Sequence, residues 1–285
     1  MGAQRRRVPG AVSGGARRSL FRAALERSTG PALGTWIKLP AMESVELVAL
    51  AGFDFVVIDL EHSAMSIETA YRQIGVALLS GVSPLVRIPA LDAGVVQRLL
   101  DAGAEGIMVP HVDTVEQAEA AAAAVRFPPI GRRGVGSTSR AGAWGAMRRS
   151  EYLRYGQEEV VLVAQIESAE AARSAGAIAA VAGVDALLMG AADLATSEGT
   201  TEGDPGVVAL IADAVAAGTA AGVPVGNAGG ATAEAARDAV AGGYRFSLAS
   251  NDASLLGGAA RAAVLAARSV QQSDDDRSTD SRSTT

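Results

Sequence analysis

The chain contains no cysteine. Disulfide staples, thiolate nucleophiles and sulfur-ligated zinc sites are excluded together, so any metal must take oxygen or imidazole ligands. Aromatic residues make up only 4% of the sequence, too few for the stacking platform of a single-strand nucleic-acid binder. Lysine is scarcer still: Lys38 is the only one among 25 basic residues. A Schiff-base enzyme needs a desolvated lysine over the substrate carbonyl, which leaves Lys38 as the sole candidate. A lone lysine on such a scaffold is more often a solvated, snorkelling side chain, and no Schiff-base lysine is expected. Positive charge is in deficit overall, with a formal net charge of -6, whereas a nucleic-acid partner calls for a basic face. Long apolar runs are missing too, well short of the roughly 20 residues that span a membrane. The RRR at 5–7 leads into VPGAVSGGARR and not into the apolar stretch of an export signal. A cytoplasmic protein without membrane or nucleic-acid partners is expected. No GK[ST] phosphate loop occurs, and GRRGVGS at 131–137 lacks dinucleotide spacing, so no nucleotide cofactor is expected either.

What the sequence does hold is 49% hydrophobic residues and 33 glycines. Eight short apolar runs recur at even intervals: 32–37, 55–59, 84–88, 106–110, 160–167, 185–190, 223–227 and 244–250. They read as buried parallel strands, and Ala-rich stretches of helical period such as 43–52 and 113–125 lie between most of them. Eight such units predict a (β/α)8 TIM barrel, and about 250 residues is the usual size of one. The predicted organisation is a disordered segment at 1–16, one barrel domain at 17–268 opening with a short capping helix, and a disordered polar tail at 269–285. The connection at 127–159 is unusually long, which marks a lid or an interface segment. Its GRRGVGS stretch reads as a flexible, basic loop near the barrel mouth.

In this architecture polar residues at the carboxyl ends of strands line the active site. Asp59, Glu61, His62, Arg87, His111, Glu167 and Asp193 all fall at or just past such ends. Glu167 and Asp193 on neighbouring strands form a hard-oxygen pair suited to Mg2+ or Mn2+, or else they cap the helices that follow them. His62 lies three residues after Asp59, a spacing that lets a carboxylate fix the imidazole tautomer for proton transfer. Arg87 can hold a carboxylate or a developing oxyanion, or pair with a neighbouring acid. His111 reads more readily as a structural histidine.

The strings GTWIKLP, AGFDFVVIDLEH, VRIP, DAGAEGIMVPHV, FPPIGRRGVG, VAQIES and GVDALLMGAADLA occur in this order from about residue 34 to 256. Together they resemble the HpcH/HpaI family of metal-dependent class II pyruvate aldolases, including those of 2-dehydro-3-deoxyglucarate and 4-hydroxy-2-oxo-heptanedioate. The resemblance implies a barrel of the phosphoenolpyruvate/pyruvate-binding type and a divalent metal, Mg2+ or Mn2+ with Co2+ as a further option, held by Glu167 and Asp193. It implies His62 oriented by Asp59 as the proton-transfer pair. Arg87 would bind the oxo acid and its enolate, with Trp36, Gly190, Ala191 and Ala192 as further substrate contacts. Asp101 would reach a neighbouring subunit's site in a homo-oligomer, trimeric or hexameric, that exchanges its C-terminal helix, here 252–268. Two positions depart from the pattern: Ala191 stands where proline is usual, and Leu60 where a smaller residue is common. The polar segment 196–207 would vary the rim that meets the aldehyde. The implied reaction is reversible cleavage of a 4-hydroxy-2-oxo acid into pyruvate, or a related 2-oxo acid, and an aldehyde. Two other readings stay open. One is a citrate- or malyl-type lyase or synthase whose acyl-CoA phosphates meet Arg132 and Arg133. The other is a non-catalytic barrel that binds a metabolite or a partner.

Overall fold

The computed structural model describes residues 17–27 and 30–280, with side chains through 269. The disordered segment expected at 1–16 lies outside these residues. A short helix, α1 (Leu20–Leu25), precedes β1 (Ala32–Ile37), α2 (Met42–Ala51), β2 (Phe55–Asp59), α3 (Ile67–Ser80), β3 (Ser83–Arg87), α4 (Ala93–Asp101) and β4 (Gly106–Val109). Next come α5 (Val115–Val125), a 3-10 segment (Arg140–Gly145), α6 (Arg149–Glu158), β5 (Val161–Ile166), α7 (Ala169–Ala179) and β6 (Ala186–Met189). The chain finishes with α8 (Ala191–Ser197), α9 (Pro205–Ala220), β7 (Val225–Gly229), α10 (Ala233–Ala241), β8 (Phe246–Asn251) and α11 (Asp252–Asp280). The eight strands pair in parallel and in order, and β8 closes on β1. Among the described residues no helix is long and apolar enough to cross a membrane.

Strand residues alternate between two cores, as a period of two requires. Trp36, Phe55, Val57, Leu85, Met108, Val163, Leu188 and Leu248 fill the barrel interior. Their neighbours Ile37, Val56, Ile58, Val86, Ile107, Leu162 and Leu187 pack outward against the helices. Strands buried on both faces read as unbroken apolar runs, which is why the pattern is visible in the sequence. Several helices begin where a side chain caps a free amide: Ser66, Thr114, Ser168, Asp204 and Thr232 each accept from the first turn they precede.

The amino-terminal end of the barrel is plugged. Phe21 of α1 is fully buried and meets the rings of Phe55 and Phe246 edge to face, with centroids 4.9 and 5.4 Å away. Buried Glu105 accepts from the Leu20 amide at 2.7 Å and the Ser83 hydroxyl at 2.8 Å, which ties α1 to the sheet. Two glycines make room for the rings. A Cβ on Gly34 would lie 2.3 Å from the Phe55 ring, and one on Gly226 would lie 2.2 Å from Phe246. Gly34→Ala or Gly226→Ala should therefore destabilise the fold by about 1–3 kcal/mol through overpacking. Urea unfolding would show this as a lower midpoint, and an unchanged midpoint would mean that the rings relocate freely.

Chain direction corrects one expectation. The 127–159 connection follows α5, and a helix that leaves the carboxyl end of a strand ends at the opposite, amino-terminal face. The segment accordingly packs beside α1: Arg17 reaches Ala141, and the Ser19 amide donates to Glu159. It is neither a lid over this chain's mouth nor a loose basic loop beside it. Arg133 is buried, donates to Asp101 at 2.9 Å and lies over the Phe127 ring. The C-terminal helix α11 packs on β1 and β8 at its start and leaves Leu256 and Leu265 exposed. It continues beyond 268 to Asp280, into the stretch read as a disordered tail, where neither proline nor glycine interrupts it.

Candidate active site

Asp59, the last residue of β2, is fully buried. A buried carboxylate must be matched by donors. Asp59 accepts from Arg87 Nε at 3.0 Å and Nη2 at 2.7 Å, and from the amides of Glu61 at 3.0 Å and His62 at 3.2 Å. Burial pushes its carboxyl up, but the hydrogen bond and charge of Arg87, with the two amides, outweigh burial and hold Asp59 below the usual carboxylate range. Strand register puts Asp59 opposite Arg87. The guanidinium lies 4.1 Å over the Trp36 ring, and its Nη1 is 3.0 Å from Glu61 Oε2. From β1, Lys38 places its Nζ 3.5 Å from Asp59 Oδ2.

The expected Asp59–His62 pair does not form through the imidazole. Only the His62 backbone amide reaches Asp59; the side chain is 59% exposed, with Nε2 3.8 Å from Glu61 Oε2. Asp59 closes a turn over its own following amides and thereby points inward, where Arg87 is the stronger partner. His62 is left at the rim.

The other half of the site is built on β4 to β6. His111 follows β4 with a left-handed backbone, φ 53°. This aims both its amide and its Nδ1 at Glu167 Oε1, each at 2.8 Å, while Nε2 lies 3.4 Å from Glu61 Oε1. Glu167, just past β5, is buried and accepts from Gln165 Nε2 at 2.6 Å. Burial pushes its carboxyl up, the negative charges of Asp193 and Glu61 add to this, and the amide and charge of His111 only partly offset it. Asp193 stands in the first turn of α8. Gly190 before it is a close approach that a side chain would fill, since a Cβ there would lie 2.8 Å from Glu167 Cβ.

Ionisable side chains thus run in sequence around the mouth: Glu167, His111, Glu61, Arg87, Asp59 and Lys38. Beside them lies a cavity of about 390 Å3 lined by Trp36, Lys38, Arg87, Gln165 and the segment from Gly190 to Asp193. Ala228 to Gly230, Ser250, Asn251 and Glu202 complete its wall. The structure brings together Asp59, Arg87, Trp36, Glu167, Asp193, Gly190, Ala191 and Ala192, with His62 at the edge. It does not bring Asp101 to this mouth. Asp101 ends α4 and accepts from Arg133 at 2.9 Å and the Tyr152 hydroxyl at 3.1 Å, at the amino-terminal face. Four members go beyond the roles read from the sequence: Glu61 stands at the mouth without a role, His111 reads as structural, Lys38 reads as a solvated side chain, and Gln165 is not singled out. For Lys38 the available signal was its uniqueness at a strand end; for Gln165 it was the period of two that places 165 on the inward side.

Among the described residues no three His, Cys, Asp or Glu side chains group into a metal cage. Two acids, Glu167 and Asp193, remain beside an open cavity. A closed (β/α)8 barrel with Glu167, Asp193 and a buried arginine at its mouth is a frame that a carbon–carbon lyase of the aldolase type can use, and the family match assigns the chain to that class. The protein belongs to the HpcH/HpaI aldolase/citrate lyase family, whose pattern it matches over residues 32–253. A pyruvate aldolase of Rhizobium etli is 43% identical over 183 residues, 64% of this chain and 71% of that protein. A 2-dehydro-3,6-dideoxy-6-sulfogluconate aldolase of Pseudomonas putida is 34% identical over 234 residues, 81% of this chain and 90% of its own length. The crystal structure of an HpcH/HpaI aldolase/citrate lyase family protein from Burkholderia cenocepacia superposes with a TM-score of 0.80 at 36% identity, covering 87% of this chain and 98% of that one.

Proposed function

We propose that the protein reversibly cleaves 4-hydroxy-2-oxo acids to pyruvate, or a closely related 2-oxo acid, and an aldehyde. The observation that carries this reading is the placement of buried Glu167, held by His111 and Gln165, beside an open cavity that Asp193 lines. Two carboxylates held together with too little compensating charge are the donor set of a hard divalent cation. Gly190 supports the fit by leaving the approach to Glu167 unfilled. Mg2+ or Mn2+ is the expected ion, with Co2+ as a substitute, and Glu167 and Asp193 are its protein ligands. When bound, such an ion supplies Lewis acidity toward the 2-oxo acid.

The remaining chemistry belongs to the chain. Arg87, fixed by Asp59, Glu61 and the Trp36 ring, presents a cation where the 2-oxo oxygen becomes negative as the carbon–carbon bond breaks. His62, exposed at the rim, takes the proton of the 4-hydroxyl group. The backbone from Gly190 to Ala192 lines the cavity beside Glu167 and receives the substrate carboxylate. Asp101 completes a neighbouring subunit's site in a trimeric or hexameric assembly that exchanges α11. Its place at the face opposite its own mouth and the exposed Leu256 and Leu265 support that arrangement. An acyl-CoA reading draws less support, because Arg133 is buried against Asp101 away from the mouth.

The test is deuterium exchange at C3 of pyruvate, followed by NMR with Mg2+ or Mn2+ and no aldehyde. Exchange that stops on chelation by EDTA is the expected result. Absence of exchange with either ion would sink the reading. His111→Ala should weaken divalent-cation binding about 10- to 100-fold in calorimetry, the usual effect of losing a group that orients a ligand. Unchanged affinity would mean that Gln165 alone holds Glu167.

A further inference from the structure

We propose that Lys38 is a specificity determinant of this site, binding a carboxylate carried by the aldehyde half of the substrate. The inference rests on the aldolase reading and goes one residue beyond it. Lys38 lines the cavity from β1, with its side chain 31% exposed. Strand order places β1 four positions from β5 in either direction around the closed barrel, so Lys38 faces Glu167 from across the mouth.

Three observations fix its role. Asp59, its nearest acid, already accepts from four donors of Arg87 and the backbone and needs no further cation. At 3.5 Å the Lys38–Asp59 approach is also longer than an ordinary hydrogen bond, so the ammonium has donors to offer a ligand. Arg87, the other cation of the cavity, is tied to Asp59 and Glu61. The charges of the wall are segregated as well. Asp193 and Glu202 stand on the β6 side with Glu167 close by, and Lys38 stands on the β1 side. Between them the wall is Ala191, Ala192, Ala228, Gly229 and Gly230, followed by the uncharged Ser250 and Asn251 of β8, so no second charge stands in the way of an extended substrate. A 2-oxo acid held at β5 and β6 therefore extends toward Lys38, and a negative group at its far end is repelled by one side and attracted by the other.

The experiment measures aldol addition of pyruvate to succinic semialdehyde and to butanal, a charged and a neutral aldehyde of equal chain length. The native enzyme should prefer the charged one, and Lys38→Met should lower the ratio of the two kcat/KM values about 10- to 100-fold, the range of one charge-assisted hydrogen bond. Lys38→Arg should retain most of the preference. Pyruvate deuterium exchange serves as the control for folding and for the aldolase reading: its absence in the native enzyme sinks that reading, whereas exchange without charge preference sinks only the role of Lys38. Proportional loss on both aldehydes in Lys38→Met overturns the proposal, and so does inactivation by borohydride with pyruvate at Lys38, which would make the residue a covalent catalyst. If the variants fail to fold, the preference of the native enzyme, read alone, still decides: a ratio near one overturns it.

Discussion

Glu167→Gln is expected to abolish turnover while leaving the metal-free protein at least as stable as the native one. The substitution keeps the shape and the acceptor toward His111 but removes one of the two anionic ligands proposed for the cation. Lewis-acid assistance is worth several kcal/mol, so kcat/KM should fall on the order of 1,000-fold. Stability should move the other way. The folded-state pKa of Glu167 is raised, by burial first and then by Asp193 and Glu61, so the folded state loses stability as pH rises through the carboxylate's unfolded value toward the folded one. Above the folded value this burden is fully present, and a neutral side chain removes it. Thermal unfolding in EDTA beside the deuterium-exchange assay separates the two effects. A less stable variant that still exchanges pyruvate protons would contradict both the ligand role and the charge crowding.

Arg87→Met should be the most destabilising change at the mouth. It leaves the buried Asp59 and the partly buried Glu61 without their cation, and breaking a buried pair from one side costs about 3–5 kcal/mol. The pH dependence gives the stricter check. In the native protein Asp59 is held below its ordinary pKa, so its contribution to stability is complete above the unfolded value near pH 4 and is lost as pH falls through the folded one. Without Arg87 burial dominates, the Asp59 pKa rises, and the variant should gain relative to the native protein as pH is lowered from 7 to about 4. A denaturation series across that range measures this. Adding Asp59→Asn should recover stability but not activity. A constant difference across the range would mean that Arg87 supports the fold by packing on Trp36 alone.

Much of this molecule can be read from its sequence because a parallel barrel strand is buried on both faces. Runs such as FVVID and VAQI advertise their ends, and with them Asp59, Arg87 and Glu167. Side-chain orientation after the strand was not legible. Asp59 and His62 are three apart, yet the turn between them sends the carboxylate inward and the imidazole outward. His111 depends on a left-handed backbone, which histidine adopts more often than most residues yet too rarely for the sequence to announce it. The 127–159 segment was misplaced for a simpler reason: the helix at 113–125 had already carried the chain to the opposite face. Ala191 in place of proline still begins α8 with Gly190 beside Glu167.

The aromatic plug of Phe21, Phe55 and Phe246 has a kinetic corollary. With the barrel stoppered at one end, reactants and products share a single doorway. In the proposed binding mode, the fragment seated against Glu167 and Arg87 cannot depart until the one nearer the rim has gone. Cleavage should therefore release the aldehyde first and pyruvate last, so that pyruvate inhibits the forward reaction by occupying the vacated interior and the aldehyde by rejoining it there.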